Sequence, residues 1–96
     1  MKDKVPMTHV FRGRRYIVSS TKPRRIRGWC DDPINQDKTV NIPVEGHSKD
    51  NLITIIHEGL HACLWDTSED AVEETSDSIA DLLWRLGWRK VKFPLP

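Results

Sequence analysis

The sequence predicts an α+β fold, a small twisted β-sheet of three to four strands packed on two consecutive helices, and three observations predict it. Polar and apolar side chains alternate in short runs as far as Ile42, glycine and proline punctuate those runs, and beyond Ser48 the apolar period lengthens to that of a helix. One domain spanning 1–96 is expected, because two cores in 96 residues would each bury too little apolar surface to offset chain entropy.

The runs Met7-Thr8-His9-Val10-Phe11 and Arg15-Tyr16-Ile17-Val18-Ser19 flank Arg12-Gly13-Arg14, which predicts two strands joined by a glycine turn. After the breaker Pro23, Arg24 to Cys30 predicts a third strand, in which Gly28 marks a bulge or a close approach, and Asp31-Asp32-Pro33 closes it. Lys38-Thr39-Val40-Asn41-Ile42 alternates and stops at Pro43, so it is expected to be a strand at a sheet edge.

Ser48 then offers a hydroxyl to cap a helix from about Lys49 to Trp65, with Asp50 in its positive first turn. Leu52, Ile53, Ile55, Ile56, Leu60, Cys63 and Leu64 leave that helix little polar circumference, so it should be buried. Asp66-Thr67-Ser68 ends it and supplies caps for a second helix from about Glu69 to Leu86, closed by Gly87, with Val72, Ile79, Leu82, Leu83 and Leu86 as its core stripe. Trp29, Trp65, Trp84 and Trp88 are expected to close the core, since large rings supply much of a small domain's burial. The tail Phe93-Pro94-Leu95-Pro96 is expected to be extended, packed or frayed.

No apolar run approaches the ~20 residues that a bilayer crossing needs, and nothing near Met1 reads as a secretory leader. A cytoplasmic protein with no membrane partner is the expectation, and Cys30 and Cys63 are then two reduced core thiols. The net charge of +1 hides an asymmetry. Residues 1–28 carry nine basic and one acidic side chain, a net +8, whereas the remainder carries a net −7. Such halves attract each other within a fold, and the basic one can also contact nucleic acid.

His57, Glu58 and His61 bring chemistry into the buried helix. At about 100° per residue, positions four apart lie within about 40° of each other, so both imidazoles occupy one face and can take two corners of a tetrahedral zinc site. Glu58 falls beside that face, where a carboxylate takes a proton from zinc-bound water instead of ligating the metal. Burying three such groups among leucines and isoleucines costs several kcal/mol unless something satisfies them. A catalytic zinc needs a third ligand, and no histidine follows His61. Among Asp66, Glu69, Asp70, Glu73, Glu74 and Asp77, the ones near the helix start read as caps. Glu73 and Asp77, four apart on a face with the small Ala80, fit better, with Glu74 the rival to Glu73. Glu73 would complete the zinc ligands, and Asp77 would accept the free N–H of a ligand histidine and fix its tautomer.

Leu52-Ile53-Thr54-Ile55-Ile56-His57-Glu58-Gly59-Leu60-His61-Ala62 resembles the active-site helix of compact zincin metallopeptidases, both SprT-like and ImmA/IrrE-like. Glu73 through Leu83 is similar to the ImmA/IrrE and thermolysin-type pattern of a glutamate ligand followed four residues later by Asn or Asp, and Arg27-Gly28-Trp29-Cys30 with Lys38 to Ile42 resembles the SprT-like strands that precede the helix. The resemblance covers residues 27–84. It implies a minimal zincin fold, zinc ligands His57, His61 and Glu73, the base Glu58, and an edge strand at 38–42 that takes an extended peptide by β-augmentation. The interval from His61 to Glu73 is shorter than in glutamate zincins, and the Tyr or His that stabilises the oxyanion in many relatives is missing after the motif. Tyr16 and His47 are the candidates for that role from the strand side.

The expected activity is zinc-dependent hydrolysis of peptide bonds in a protein or peptide substrate. The alternative is a zinc-stabilised binding module whose basic N-terminal region docks on nucleic acid or an acidic protein.

Overall fold

The computed structural model describes residues 7–20 and 28–91. Four strands, β1 (Met7–Phe11), β2 (Arg14–Ser20), β3 (Trp29–Cys30) and β4 (Thr39–Ile42), precede two helices, α1 (Lys49–Cys63) and α2 (Glu69–Arg85). The α+β architecture read from the sequence is the one observed.

Arg12 and Gly13 both adopt positive φ, 49° and 83°, as a two-residue loop of the primed type requires. The loop sets β1 antiparallel to β2 with Phe11 opposite Arg14 and Met7 opposite Val18. Turn chemistry also ties the sheet to the helices, because Arg12 Nη1 donates to the Cys63 carbonyl at 3.1 Å and places a cation at the negative end of α1.

The sheet order is β1-β2-β4-β3, with β4 parallel to β2 and antiparallel to β3. The strand ending at Ile42 is therefore interior, and the expectation of an edge there is corrected. Pro43 lies just beyond the ladder, so it costs β4 no hydrogen bond, and the open edges belong to β1 and β3. Residues 24–27 of the expected third strand lie outside the described residues, as do 92–96 of the tail; the strand observed is Trp29–Cys30 alone. Asp31 clasps it to β4, its N–H donating to the Thr39 carbonyl at 3.0 Å and its carboxylate accepting the Thr39 N–H at 2.9 Å.

One face of the sheet carries Tyr16, Val18 and Val40, which form the core with Val44 and Ala62, and Phe11, Cys30 and Ile42 pack on it. Helix α1 lies on this face and presents Asn51, Glu58 and Ala62 to it. On the other face Asn41 is buried, its amide donating to Ser19 Oγ at 2.7 Å and accepting Trp29 Nε1–H at 3.1 Å.

Ser48 caps α1 as expected, in a reciprocal box with Asn51 worth about 1 kcal/mol, and Ser68 caps α2 by accepting the Ala71 N–H. Gly87, at φ 98°, follows α2, with its N–H on Trp84 O and the Trp88 N–H on Leu83 O.

Helix α2 packs on α1, not on the sheet, and the residues it buries are Val72, Ser76 and Ala80. The expected core stripe is corrected here, because Ile79, Leu82 and Leu86 are exposed. Small side chains at 76 and 80 let the two helices approach closely, which rotates the bulkier apolar positions outward. Trp65 and Trp84 are half-buried, while Trp29 and Trp88 are exposed, so the tryptophans do not close the core as expected. No helix among the described residues is long and apolar enough to cross a membrane.

Candidate metal centre

His57 and His61 stand one turn apart near the C-terminal end of α1, their rings 4.8 Å apart at 70° and their side chains 17 % exposed. The turn after Cys63 is short, so the first turn of α2 comes back beside the last turns of α1. It brings Glu69, whose Oε1 lies 2.9 Å from His61 Nε2 and whose Oε2 lies 3.1 Å from His57 Nε2. The Nε2 atoms and the carboxylate thus fall within 4.8 Å of one another.

This group differs from the expected ligand set in its carboxylate. Glu73 and Glu74 are exposed on α2 and stand outside the group, and Asp77 is exposed with no hydrogen bond to either histidine among the described residues. Rotation of α2 accounts for the difference. Val72, Ser76 and Ala80 mark the face turned to α1, and at about 100° per residue Glu69 falls in the middle of that arc, Glu73 at its margin and Asp77 beyond it. A signal for Glu69 was present in the sequence, three residues before Val72 and seven before Ser76. Its place beside Ser68 made it read as part of a cap.

The donor set suits a divalent metal. Two imidazole nitrogens and a carboxylate oxygen are the ligands of open zinc sites, and donors at ~2.0–2.1 Å from a tetrahedral ion stand about 3.3 Å from one another. Glu69 reaches the two imidazoles through different oxygens, at 2.9 and 3.1 Å, and one donor atom from each residue lies within 4.8 Å of the others, so the group could hold an ion once the donors draw in to that spacing. Trp65, its ring 6.0 Å from that of His61, walls one side. Beyond Trp65 a cleft of about 540 Å³ opens among Arg12, Arg14, Asp32, Ile34 and Asp66.

Glu58 occupies the neighbouring face of α1, toward the sheet, and is 7 % exposed. Gly28 makes room for it, since a Cβ there would stand 3.0 Å from Glu58 Cγ and would overlap the Asn41 carbonyl. The close approach expected at Gly28 is thus observed, and it brings the chain just ahead of β3 alongside the carboxylate. Burial pushes the Glu58 carboxyl up to about 7; His57 opposes that shift and the Glu69 carboxylate adds to it.

Neither oxyanion candidate is at the centre. Tyr16 is fully buried, its hydroxyl donates to the Asp31 carbonyl at 3.2 Å, and burial raises its pKa well above the phenol range. His47 lies before α1, at the opposite end of that helix from His61, on the rim of an apolar groove with Leu52, Leu83, Trp84 and Trp88. No family model, no curated protein and no solved structure matches this chain.

Proposed function

We propose that the chain is a zinc-dependent peptidase in which His57, His61 and Glu69 hold the metal and Glu58 moves the proton. The observation that carries this reading is the meeting of Glu69 with both imidazoles on one face of α1 while Glu58 lies buried on the next. Ligands and base are separated by the rotation of a single residue. A zinc ion bound by this set supplies Lewis acidity toward a carbonyl oxygen and lowers the pKa of water toward ~7. Glu58 accepts the proton of the attacking water and returns it to the departing amine. Gly28, immediately before the edge strand β3, passes beside Glu58, so an extended peptide added to that edge runs close to the base. The substrate class is accordingly polypeptide in extended form, and the likeness of residues 52–62 to the zincin helix supports the same chemistry.

The test replaces Glu58 with Gln and follows bound zinc and casein cleavage together. The peptidase reading expects zinc retained and cleavage lost; equal cleavage by variant and wild type contradicts it.

One observation favours the alternative of a zinc-stabilised binding module, namely that Tyr16 and His47 are unavailable to an oxyanion while Arg12, Arg14 and Arg15 are exposed around the hairpin turn. The other basic residues of 1–28 lie outside the described residues. Under that reading, affinity for nucleic acid falls steeply with salt and is unchanged in Glu58→Gln.

A further inference from the structure

The apolar groove bordered by His47 encloses about 530 Å³, within the ~300–1,000 Å³ of small-molecule sites. Val18 and Ile42 of the sheet, Leu52 and Ile55 of α1, and Leu83 and Trp84 of α2 line it. Trp88 completes the wall at 65 % exposure, so part of that apolar surface is open to solvent. The polar lining is confined to one end. His47 and Ser48 come from the chain leading into α1 and Arg89 and Lys90 from the chain leaving α2, and the antiparallel hairpin, tied there by Lys49 and Asp81, sets those two stretches side by side.

No acidic residue lines the groove; Glu45 and Asp50 stand outside it, and Asp81 is paired with Lys49 and Arg85. Arg89 is held at the charged end. Its guanidinium carbon lies 3.4 Å from the centre of the Trp84 ring, and its Nη1 donates to the Trp84 and Trp88 carbonyls at 2.9 and 2.8 Å. Among the described residues no carboxylate pairs with it, and its bonds use Nη1, which leaves the Nε and Nη2 hydrogens for an anion.

We propose that this groove binds a free linear alkyl carboxylate, the hydrocarbon lying along Leu52, Ile55, Leu83 and Trp84 and the carboxylate on Arg89. Charge complementarity selects an anion, and the confinement of positive charge to one end selects an amphiphile with a single charged head. The wall selects hydrocarbon over polypeptide, because a peptide laid along it would bury N–H and C=O groups with nothing to pair them, whereas an alkyl chain carries none. The charged end lies at the start of α1 and the metal centre near its other end, so the proposal does not rest on the peptidase reading.

Calorimetric titration of the full chain with octanoate, decanoate and dodecanoate, each below its micelle concentration, tests this. One equivalent should bind, with affinity rising on the order of tenfold for each added pair of methylenes. Decylammonium, of equal length and opposite charge, should bind at least ~10-fold more weakly than decanoate. Arg89→Gln should lower decanoate affinity about five- to tenfold without lowering that for decylammonium, whereas a damaged groove would lose both. The wild-type arms need no variant to fold. Absence of saturable binding, affinity indifferent to chain length, or equal binding of decanoate and decylammonium overturns the proposal. So does pelleting of the chain with anionic phospholipid vesicles when monomeric decanoate does not bind, which would assign the groove to a bilayer surface.

Discussion

His61 and Glu69 meet at 2.9 Å across the helical hairpin, and they do so in register with a second pair. Lys49 stands twelve residues before His61 and Asp81 twelve residues after Glu69, and Lys49 Nζ reaches Asp81 Oδ1 at 2.9 Å. An antiparallel hairpin with those two ties has its sliding fixed at both ends. The far tie positions the near one, so breaking it should loosen the hold on metal without touching a ligand. Asp81→Asn is therefore expected to weaken zinc affinity several-fold, read by competition with a chelating dye. Unchanged affinity would show that the short turn alone sets the register.

Metal should stabilise the fold because the proposed ligands come from both helices. At free zinc about 1,000 times Kd, mass action contributes about 4 kcal/mol, which for a domain of this size corresponds to a rise of order 15–30 °C in Tm. Scanning calorimetry with zinc and with chelator measures it. A rise of a few degrees would mean that the ion binds the unfolded chain nearly as well.

Gly28→Ala should be costly. The new methyl group overlaps the Asn41 carbonyl and presses on Glu58 Cγ, both held by surrounding structure, so overpacking of about 1–3 kcal/mol is expected in urea unfolding. A variant as stable as wild type would show that β3 can move away from α1.

In metal-free protein, Glu58 makes stability depend on pH in a defined direction. Its folded pKa of about 7 lies above the 4.5 of a free glutamate, so between those values the unfolded chain has released a proton that the folded chain retains. Stability contributed at this site is full below about 4.5, declines as pH rises to about 7, and is constant above. Glu58→Gln lacks this decline, so its stability relative to wild type should increase from pH 4 to pH 8. A difference that stays flat, or that shrinks toward pH 8, contradicts the burial of this carboxyl.

Cys30 should resist thiol reagents. Burial pushes its thiol up to about 12, with the Tyr16 hydrogen bond opposing and Glu58 adding, so the thiolate is scarce at pH 8. In a chromogenic disulfide assay on native protein, the fast phase should survive Cys30→Ser and vanish in Cys63→Ser. The reverse pattern would place Cys30 at the surface.

Local signals were legible and non-local ones were not. Ser48, Ser68 and Gly87 announced the helix ends, Arg12-Gly13 the hairpin, Gly28 a close approach and His57-Glu58-His61 the face of α1, because each depends on a few neighbouring residues. The interior position of β4 depends on pairing with β2 across the eighteen residues between Ser20 and Thr39, which alternation and a following proline do not report. The exchange of Glu73 for Glu69 and the outward turn of Ile79, Leu82 and Leu86 have one cause. Counting large apolar residues put the buried face of α2 at the wrong rotation, whereas the small residues Ser76 and Ala80 actually lie against α1.

Metal retention in Glu69→Gln and Glu73→Gln, measured by elemental analysis after loading with zinc and exhaustive dialysis, tests the site most directly. The geometry predicts about one zinc per chain in wild type and in Glu73→Gln, and an affinity at least ~100-fold lower in Glu69→Gln. Full retention by Glu69→Gln together with loss in Glu73→Gln would contradict it.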